Sequence, residues 1–69
     1  MTNTQKVKMV LAYIGMSEAE LARRLGSSPQ VFHRRMKTDK LSTNDLLKIA
    51  EIVGATYTHA FEFTDGTKV

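Results

Sequence analysis

The amino-acid sequence predicts a mainly all-α fold, in which four short helices are followed by a short C-terminal β-strand or stub hairpin. Apolar residues recur at helical spacing in four segments, capping residues and glycines separate these segments, and the last segment alternates apolar and polar residues. The 69 residues contain no repeat or linker, so we expect one domain over residues 1–69. The helical bundle should span about residues 4–54 and the strand segment about residues 56–69.

The first two helices are predicted from apolar spacing and from their end signals. The apolar face of the first helix consists of Val7, Val10, Leu11 and Ile14. Gly15 can end this helix in the left-handed conformation, and Ser17 can cap the second helix in a capping box with Glu20. The inward residues of the second helix are Leu21, Ala22 and Leu25. Gly26 then supplies the turn into the next helix.

The third helix is predicted to begin at Ser28 as N-cap and Pro29 as first helical residue. Its inward residues are Phe32 and Met36, with Val31 beside them. The remaining positions are polar or basic: Gln30, His33, Arg34, Arg35 and Lys37. Only a narrow stripe of this helix is therefore expected to pack on the core.

The fourth helix is predicted to begin at Ser42, three residues before Asp45, and to end at Gly54. Its inward face consists of Leu46, Ile49, Ala50 and Val53. Met9, Met16 and Met36 lie on predicted core faces, where methionine fills gaps between other side chains.

The tail alternates like a strand with one buried face, and its aromatic side is formed by Tyr57, His59, Phe61 and Phe63. Asp65-Gly66 then signals a turn. An isolated strand has an open edge, so we expect two copies of the chain to dimerise through these four residues. The aromatic rings could instead stack single-stranded bases, and for His59 a packed structural role is the favoured alternative.

The charge distribution predicts a polyanionic partner. The formal net charge is +3 and the pI is about 9.5. Seven cationic side chains, counting His33 if it is protonated, lie between Arg23 and Lys40, against the single acid Asp39. Phosphate groups bind to such clusters. The alternative is that these charges only solvate a surface helix.

Several other function classes find no support in the sequence. The chain has no Cys, and His33 and His59 lack companions at ligand spacing, so we expect no metal and no other cofactor. No nucleophile setting, carboxylate pair or phosphate-binding glycine loop is present, so we expect no catalysis. We find no small-molecule site, no apolar run of membrane-spanning length, and no signal-peptide pattern at the start.

The segments Glu20-Leu21-Ala22, Leu25-Gly26 and Ser28-Pro29-Gln30, followed by the helix around Phe32, resemble the helix-turn-helix proteins of the phage repressor and Cro class, also called XRE-like. The resemblance covers roughly residues 5–55. Residues 57–69 are similar to the strand and Asp-Gly turn of very small bacterial regulators. The resemblance implies a cytoplasmic, nucleoid-associated bacterial regulator, repressor-like, that binds double-stranded DNA at an inverted repeat as a homodimer.

The resemblance also implies site residues on and around the third helix. The expected base contacts are Ser28, Pro29, Gln30, Val31, His33 and Arg34. The expected phosphate contacts are Ser17, Arg24, Arg35, Lys37 and Lys40.

Two positions depart from the family pattern. Glu18 stands where many members have Gln, and its charge repels DNA unless the side chain turns away or pairs with a nearby Arg. Arg35 occupies a position that is usually apolar, and Met36 takes the inward role, which predicts a slightly rotated or longer third helix. The alternative function is a helix-turn-helix scaffold that acts as a protein-interaction module, antitoxin-like or adaptor, with Glu18 as the sign that DNA contact has been lost.

Overall fold

A computed structural model describes residues 1–58 and 60–69 of the chain. The fold is mainly helical, with 57% of residues in four helices and a small two-stranded antiparallel sheet. The elements are α1 (Asn3–Ile14), α2 (Glu18–Arg24), α3 (Pro29–Lys37), α4 (Thr43–Val53), β1 (Thr56–Tyr57) and β2 (Phe61–Glu62). The four predicted helices are thus confirmed, with bounds within one or two residues of the sequence signals.

Local capping explains where three of these helices begin. The hydroxyl of Ser17 accepts a hydrogen bond from the amide of Glu20, and Ser28 and Ser42 cap α3 and α4 in the same way. At α4 the Asp45 carboxylate completes a capping box with Ser42. The capping box predicted for Ser17 and Glu20 is only half formed, because the carboxylate of Glu20 is directed to Arg24.

The first helix has a capping box that the sequence reading missed. Thr2 Oγ1 accepts from the amide of Gln5, and Gln5 Oε1 accepts from the amide of Thr2. At the other end, Gly15 adopts a positive φ of 73°, as predicted for a helix stop. The sharp end at Gly15 lets the chain turn at once into α2, whose N-cap is only two residues further on.

The core lies between the four helices and the tail. Its buried members are Val7, Val10, Leu11, Leu21, Ala22, Phe32, Met36, Leu41, Leu46, Ile49, Ala50 and Phe61. Leu25 and Val53, predicted to face inward, are partly buried against this cluster. Met9 was predicted on a core face, but it is 47% exposed. It stands beside Val10 on α1, just outside the apolar stripe, so the prediction for Met9 is wrong.

The tail was predicted as a strand or a stub hairpin with its turn at Asp65-Gly66, and the structure has an additional reversal inside the segment predicted as a strand. β1 and β2 are antiparallel, with Tyr57 opposite Phe61, so the chain reverses between these residues. It reverses again at the predicted Asp65-Gly66 turn, after which Val69 exchanges two backbone hydrogen bonds of 2.8 Å with Phe61. The alternating pattern could not distinguish one straight strand from two short ones. Among the described residues, no helix is long and apolar enough to cross a membrane.

Candidate functional site

The exposed face of α3 carries a stripe of polar and basic side chains. Gln30, His33, Arg34 and Lys37 are spaced i, i+3, i+4 and i+7 along the helix, and all four are exposed. Phe32 and Met36, which are 0% and 2% exposed, lie on the opposite side and anchor the helix to the core. The burial of these two residues therefore determines which side chains α3 presents to a partner.

The start of α3 extends this surface. Ser28 and Pro29 are exposed, and Val31 is 44% exposed. All six residues predicted to contact bases thus lie on one helix and its N-cap, and all are exposed. The structure brings this predicted set together.

Two of the basic residues on α2 are paired with one acid. Glu20 contacts Arg24 Nε at 3.0 Å and Arg23 Nη2 at 3.5 Å. The hydrogen bond from Arg24 lowers the pKa of the Glu20 carboxyl from its ordinary value. These pairs are exposed, and exposed ion pairs contribute little energy. Arg24 can therefore exchange Glu20 for a phosphate at small cost.

Arg35 has a different setting from the other predicted phosphate contacts. Its guanidinium is hydrogen-bonded to the carboxylate of Asp45, and the Asp45 side chain is only 18% exposed. Burial raises the pKa of Asp45, but hydrogen bonds from the Ser42 amide and hydroxyl and the charge of Arg35 outweigh it, so the net pKa is lowered. Arg35 thus ties α3 to the first turn of α4. Met36 is buried, as predicted, and Arg35 is half-buried.

Glu18 lies beside His33, across the gap between α2 and α3. Its Oε1 is 3.0 Å from His33 Nδ1. The Glu18 side chain is 31% exposed and the His33 side chain is 70% exposed, so the acid is the more enclosed partner. Glu18 was expected to turn away or to pair with an arginine, and the partner it has is a histidine of the predicted base-contacting set.

The acid between the basic residues, Asp39, is turned away from them. It has a positive φ of 54°, and its Oδ1 accepts a hydrogen bond of 2.9 Å from the backbone amide of Thr4, in the first turn of α1. Thr4 also donates its hydroxyl to the Met36 carbonyl at 2.6 Å. The start of α1 is therefore fastened to the end of α3, and the charge of Asp39 interacts with the positive end of the α1 dipole.

Three of the exposed cations lie in the C-terminal part of α3 and just after it, apart from Lys8 on α1 and Lys48 on α4. Within residues 1–58 and 60–69, Arg34, Lys37 and Lys40 are exposed and make no ion pair. Ser17 and Arg24 both border one surface depression with Glu20. The predicted phosphate set thus comes from two places in the chain, with Ser17 and Arg24 at the two ends of α2 and Lys37 and Lys40 at and after the end of α3.

The predicted dimer residues are used mainly within the chain. Phe61 is fully buried and its ring lies 5.1 Å from that of Tyr57. Tyr57 and Phe63 are half-buried, and His59 lies outside the described residues. Of the described members of the predicted dimer set, Tyr57 and Phe63 have accessible area to offer a second copy, and Phe61 has none.

Tyr13 is a residue of this region that sequence reasoning missed. Its ring is 4.8 Å from the ring of Phe63, and its hydroxyl donates to Asp65 Oδ2 and lies 3.1 Å from Thr67 Oγ1. The hydrogen bond from Tyr13 lowers the pKa of Asp65. Tyr13 follows Met9 by one helical turn on the exposed face of α1. This pair of exposed apolar side chains was the signal in the sequence that could have predicted a contact with another segment.

The arrangement is suited to binding. In the described part of the chain, no three His, Cys, Asp or Glu side chains converge as a metal site would require. No family model, curated protein or solved structure matches this chain. The site consists of a row of exposed hydrogen-bonding side chains on one helix, with basic side chains nearby, and the other side of that helix is buried in the core.

Proposed function

We propose that this chain is a sequence-specific, double-stranded DNA-binding transcriptional regulator, in which α2 and α3 act as a helix-turn-helix and α3 enters the major groove. One observation carries the proposal: the exposed stripe of Gln30, His33, Arg34 and Lys37 on a helix whose other side is locked into the core. The major groove of B-DNA is wide enough to admit an α-helix, and base edges there have distinct hydrogen-bonding patterns.

The side chains of the stripe match the chemistry of base edges. Gln30 can bond bidentately to adenine, and Arg34 can bond bidentately to guanine O6 and N7, each pair discriminating by about 1–3 kcal/mol. Val31 offers a 44% exposed aliphatic surface to a thymine methyl. Because Arg34 has no acidic partner in the described part of the chain, it would give up no ion pair on binding.

Phosphate contacts fix the position of the helix in the groove. We assign this role to Lys37 and Lys40 at one end and to Ser17 and Arg24 at the other. Arg24 would exchange its exposed partner Glu20 for phosphate. Arg35 is the weakest member of the predicted set, because binding a phosphate would require it to leave the partly buried Asp45.

A homodimer would double the number of contacts and explain how so small a domain could bind one site specifically. A two-fold dimer with recognition helices about 34–36 Å apart would select an inverted repeat of half-sites one DNA turn apart. The half-buried rings of Tyr57 and Phe63 are the part of the tail available to such an interface.

The first experiment is selection of bound duplexes from a random DNA library by the purified protein at near-physiological salt. We expect enrichment of an inverted repeat with half-site centres about one turn apart. Enrichment of a single half-site would support DNA recognition and contradict the dimer. If well-folded protein enriches no sequence, the proposed DNA-binding function is wrong. The exposed surface of α3 would then be better interpreted as part of a protein-interaction module.

The salt dependence of binding provides a second test with a matched control. Each phosphate neutralised contributes about 0.9 to the slope of log K against log salt. Lys37→Ala should remove one phosphate contact and so reduce the magnitude of this slope by about 0.9. Lys8→Ala removes the same charge from an exposed position on α1, which borders none of the depressions that Arg24 lines, and should leave the slope unchanged. Equal slopes for the two variants would show that the Lys37 end of α3 does not face the DNA backbone.

A further inference from the structure

We infer that Glu18 is a positioning residue that holds the proton of the neutral His33 ring on Nδ1, so that Nε2 presents a hydrogen-bond acceptor to an adenine or cytosine amino group. This inference rests on the proposed DNA-binding function. It assigns a role to the acid that contacts the exposed stripe of α3 through His33, and it predicts the chemical class of the base that His33 reads.

The geometry constrains the proton on the ring. An ionised carboxylate can only accept hydrogen bonds, so the 3.0 Å contact between Glu18 Oε1 and His33 Nδ1 requires a proton on Nδ1. A neutral imidazole has a single N–H, and a partner at one nitrogen sets the state of the other. In the neutral ring, Nε2 is therefore bare and accepts.

The other ring nitrogen, Nε2, belongs to an exposed side chain and has no partner in the described part of the chain. The His33 side chain is 70% exposed. His33 is one position before Arg34 and three after Gln30, within the stripe proposed to enter the groove. Nε2 is therefore available to a base while Nδ1 is occupied.

An acceptor at this position selects against guanine and thymine. In the major groove, donors are offered only by the N6 amino group of adenine and the N4 amino group of cytosine, whereas guanine N7 and O6 and thymine O4 are acceptors. A bare Nε2 facing an acceptor would leave both groups unpaired and desolvated, which is unfavourable. Without Glu18, the proton can move to Nε2, and the ring can donate to guanine instead.

Glu18→Gln tests this role with little change in shape. The Gln amide can either accept from Nδ1–H or donate to a bare Nδ1, so the proton is no longer fixed. Glu20→Gln is the matched control, because it removes one acidic charge from the same turn of α2 while contacting Arg23 and Arg24 in place of His33. Any general effect of charge on affinity should be common to the two variants.

The first readout is the ring nitrogen spectrum of His33 in the free protein, recorded by two-dimensional NMR. We expect the neutral ring of the wild type and of Glu20→Gln to carry its proton on Nδ1, and that of Glu18→Gln to show a mixture or the Nε2–H form. An Nε2–H ring in the wild type would overturn the inference whatever the protein binds.

The second readout is the base preference from library selection with each variant. We expect one base pair per half-site at which the wild type and Glu20→Gln prefer adenine or cytosine by on the order of tenfold, and at which His33→Ala shows no preference. Glu18→Gln should lose this preference or shift it to guanine. Retention of the preference in Glu18→Gln would contradict the positioning role.

The outcomes separate this inference from the proposed function. If His33→Ala keeps a preference that Glu18→Gln loses, Glu18 itself reads the base and the inference is wrong, although DNA recognition stands. If the wild type enriches no sequence, the proposed DNA-binding function is wrong, and the inference about Glu18 is wrong as well. In that case an Nδ1–H ring would show only that the contact with Glu18 is structural.

Discussion

Replacing Phe61 by Ala tests whether the tail belongs to the core of a single chain. Phe61 is 0% exposed, its ring lies 5.1 Å from that of Tyr57, and its backbone is bonded to Val69 on one side of the hairpin. Truncation of a buried Phe to Ala costs about 3–5 kcal/mol. A 69-residue domain has a free energy of unfolding near the lower end of the usual range, about 5 kcal/mol, so Phe61→Ala should leave little stability.

Urea titration followed by circular dichroism measures this loss. For a domain of this size the slope is about 1 kcal/mol per molar urea, so the midpoint should fall by about 3–5 M. Phe61→Leu retains most of the apolar volume and should cost about 1–2 kcal/mol, which keeps the protein folded and the comparison measurable. Leu47→Ala truncates an apolar side chain that is 48% exposed and should change stability by less than about 0.5 kcal/mol.

Two results would refute the reasoning. A midpoint for Phe61→Ala within about 0.5 M of the wild type would mean that the ring is not part of the core. A loss that disappears when the protein concentration is raised by about a hundredfold would mean that Phe61 acts between two copies, as the sequence alone predicted.

Three further predictions follow from other contacts. Gly54→Ala should destabilise the chain by about 1–2 kcal/mol, measured by thermal melting. Gly54 has a positive φ of 75° and no atom near the position of an added Cβ, so backbone strain alone accounts for this loss. Asp45 has a lowered pKa, so its stabilising effect is present above the ordinary Asp pKa of 3.8 and is lost as the pH falls through the lower pKa of Asp45 in the folded chain. Asp45→Asn should therefore flatten the acid limb of the curve of stability against pH. An unchanged curve would contradict this prediction. Arg34→Ala should relax base preference at one position per half-site, whereas Arg35→Ala should mainly lower the melting temperature, and equal effects of the two on base preference would argue against these assignments.

The helices could be predicted from sequence because their ends are specified locally. Ser28 followed by Pro29 starts a helix through contacts within one turn, and Gly15 and Gly54 end helices through their own backbone conformation. The hairpin could not be predicted in the same way. The reversal between Tyr57 and Phe61 lacks glycine or proline, and the alternation on either side of it fits one strand as well as two.

The exposed residues of the candidate site were predicted because Phe32 and Met36 fix the orientation of α3 by themselves. The ion pairs could not be predicted, since Glu18 and His33 are 15 residues apart and Arg35 and Asp45 are 10 apart, and both contacts depend on how neighbouring helices are placed. These pairs change what the basic cluster can do. A sequence count treats Arg34 and Arg35 alike, whereas only Arg34 has no acidic partner in the described part of the chain.

The placement of the two tyrosines means that intrinsic fluorescence can follow the tail during unfolding. It has no Trp and only two Tyr, and each tyrosine ring packs against a tail phenylalanine, Tyr13 against Phe63 and Tyr57 against Phe61. Intrinsic fluorescence therefore senses the attachment of the tail, while far-ultraviolet dichroism senses the helices. Coincidence of the two signals during unfolding would mean that tail and bundle melt as a single cooperative unit, and an earlier change in fluorescence would mean that the tail detaches from a bundle that is still folded.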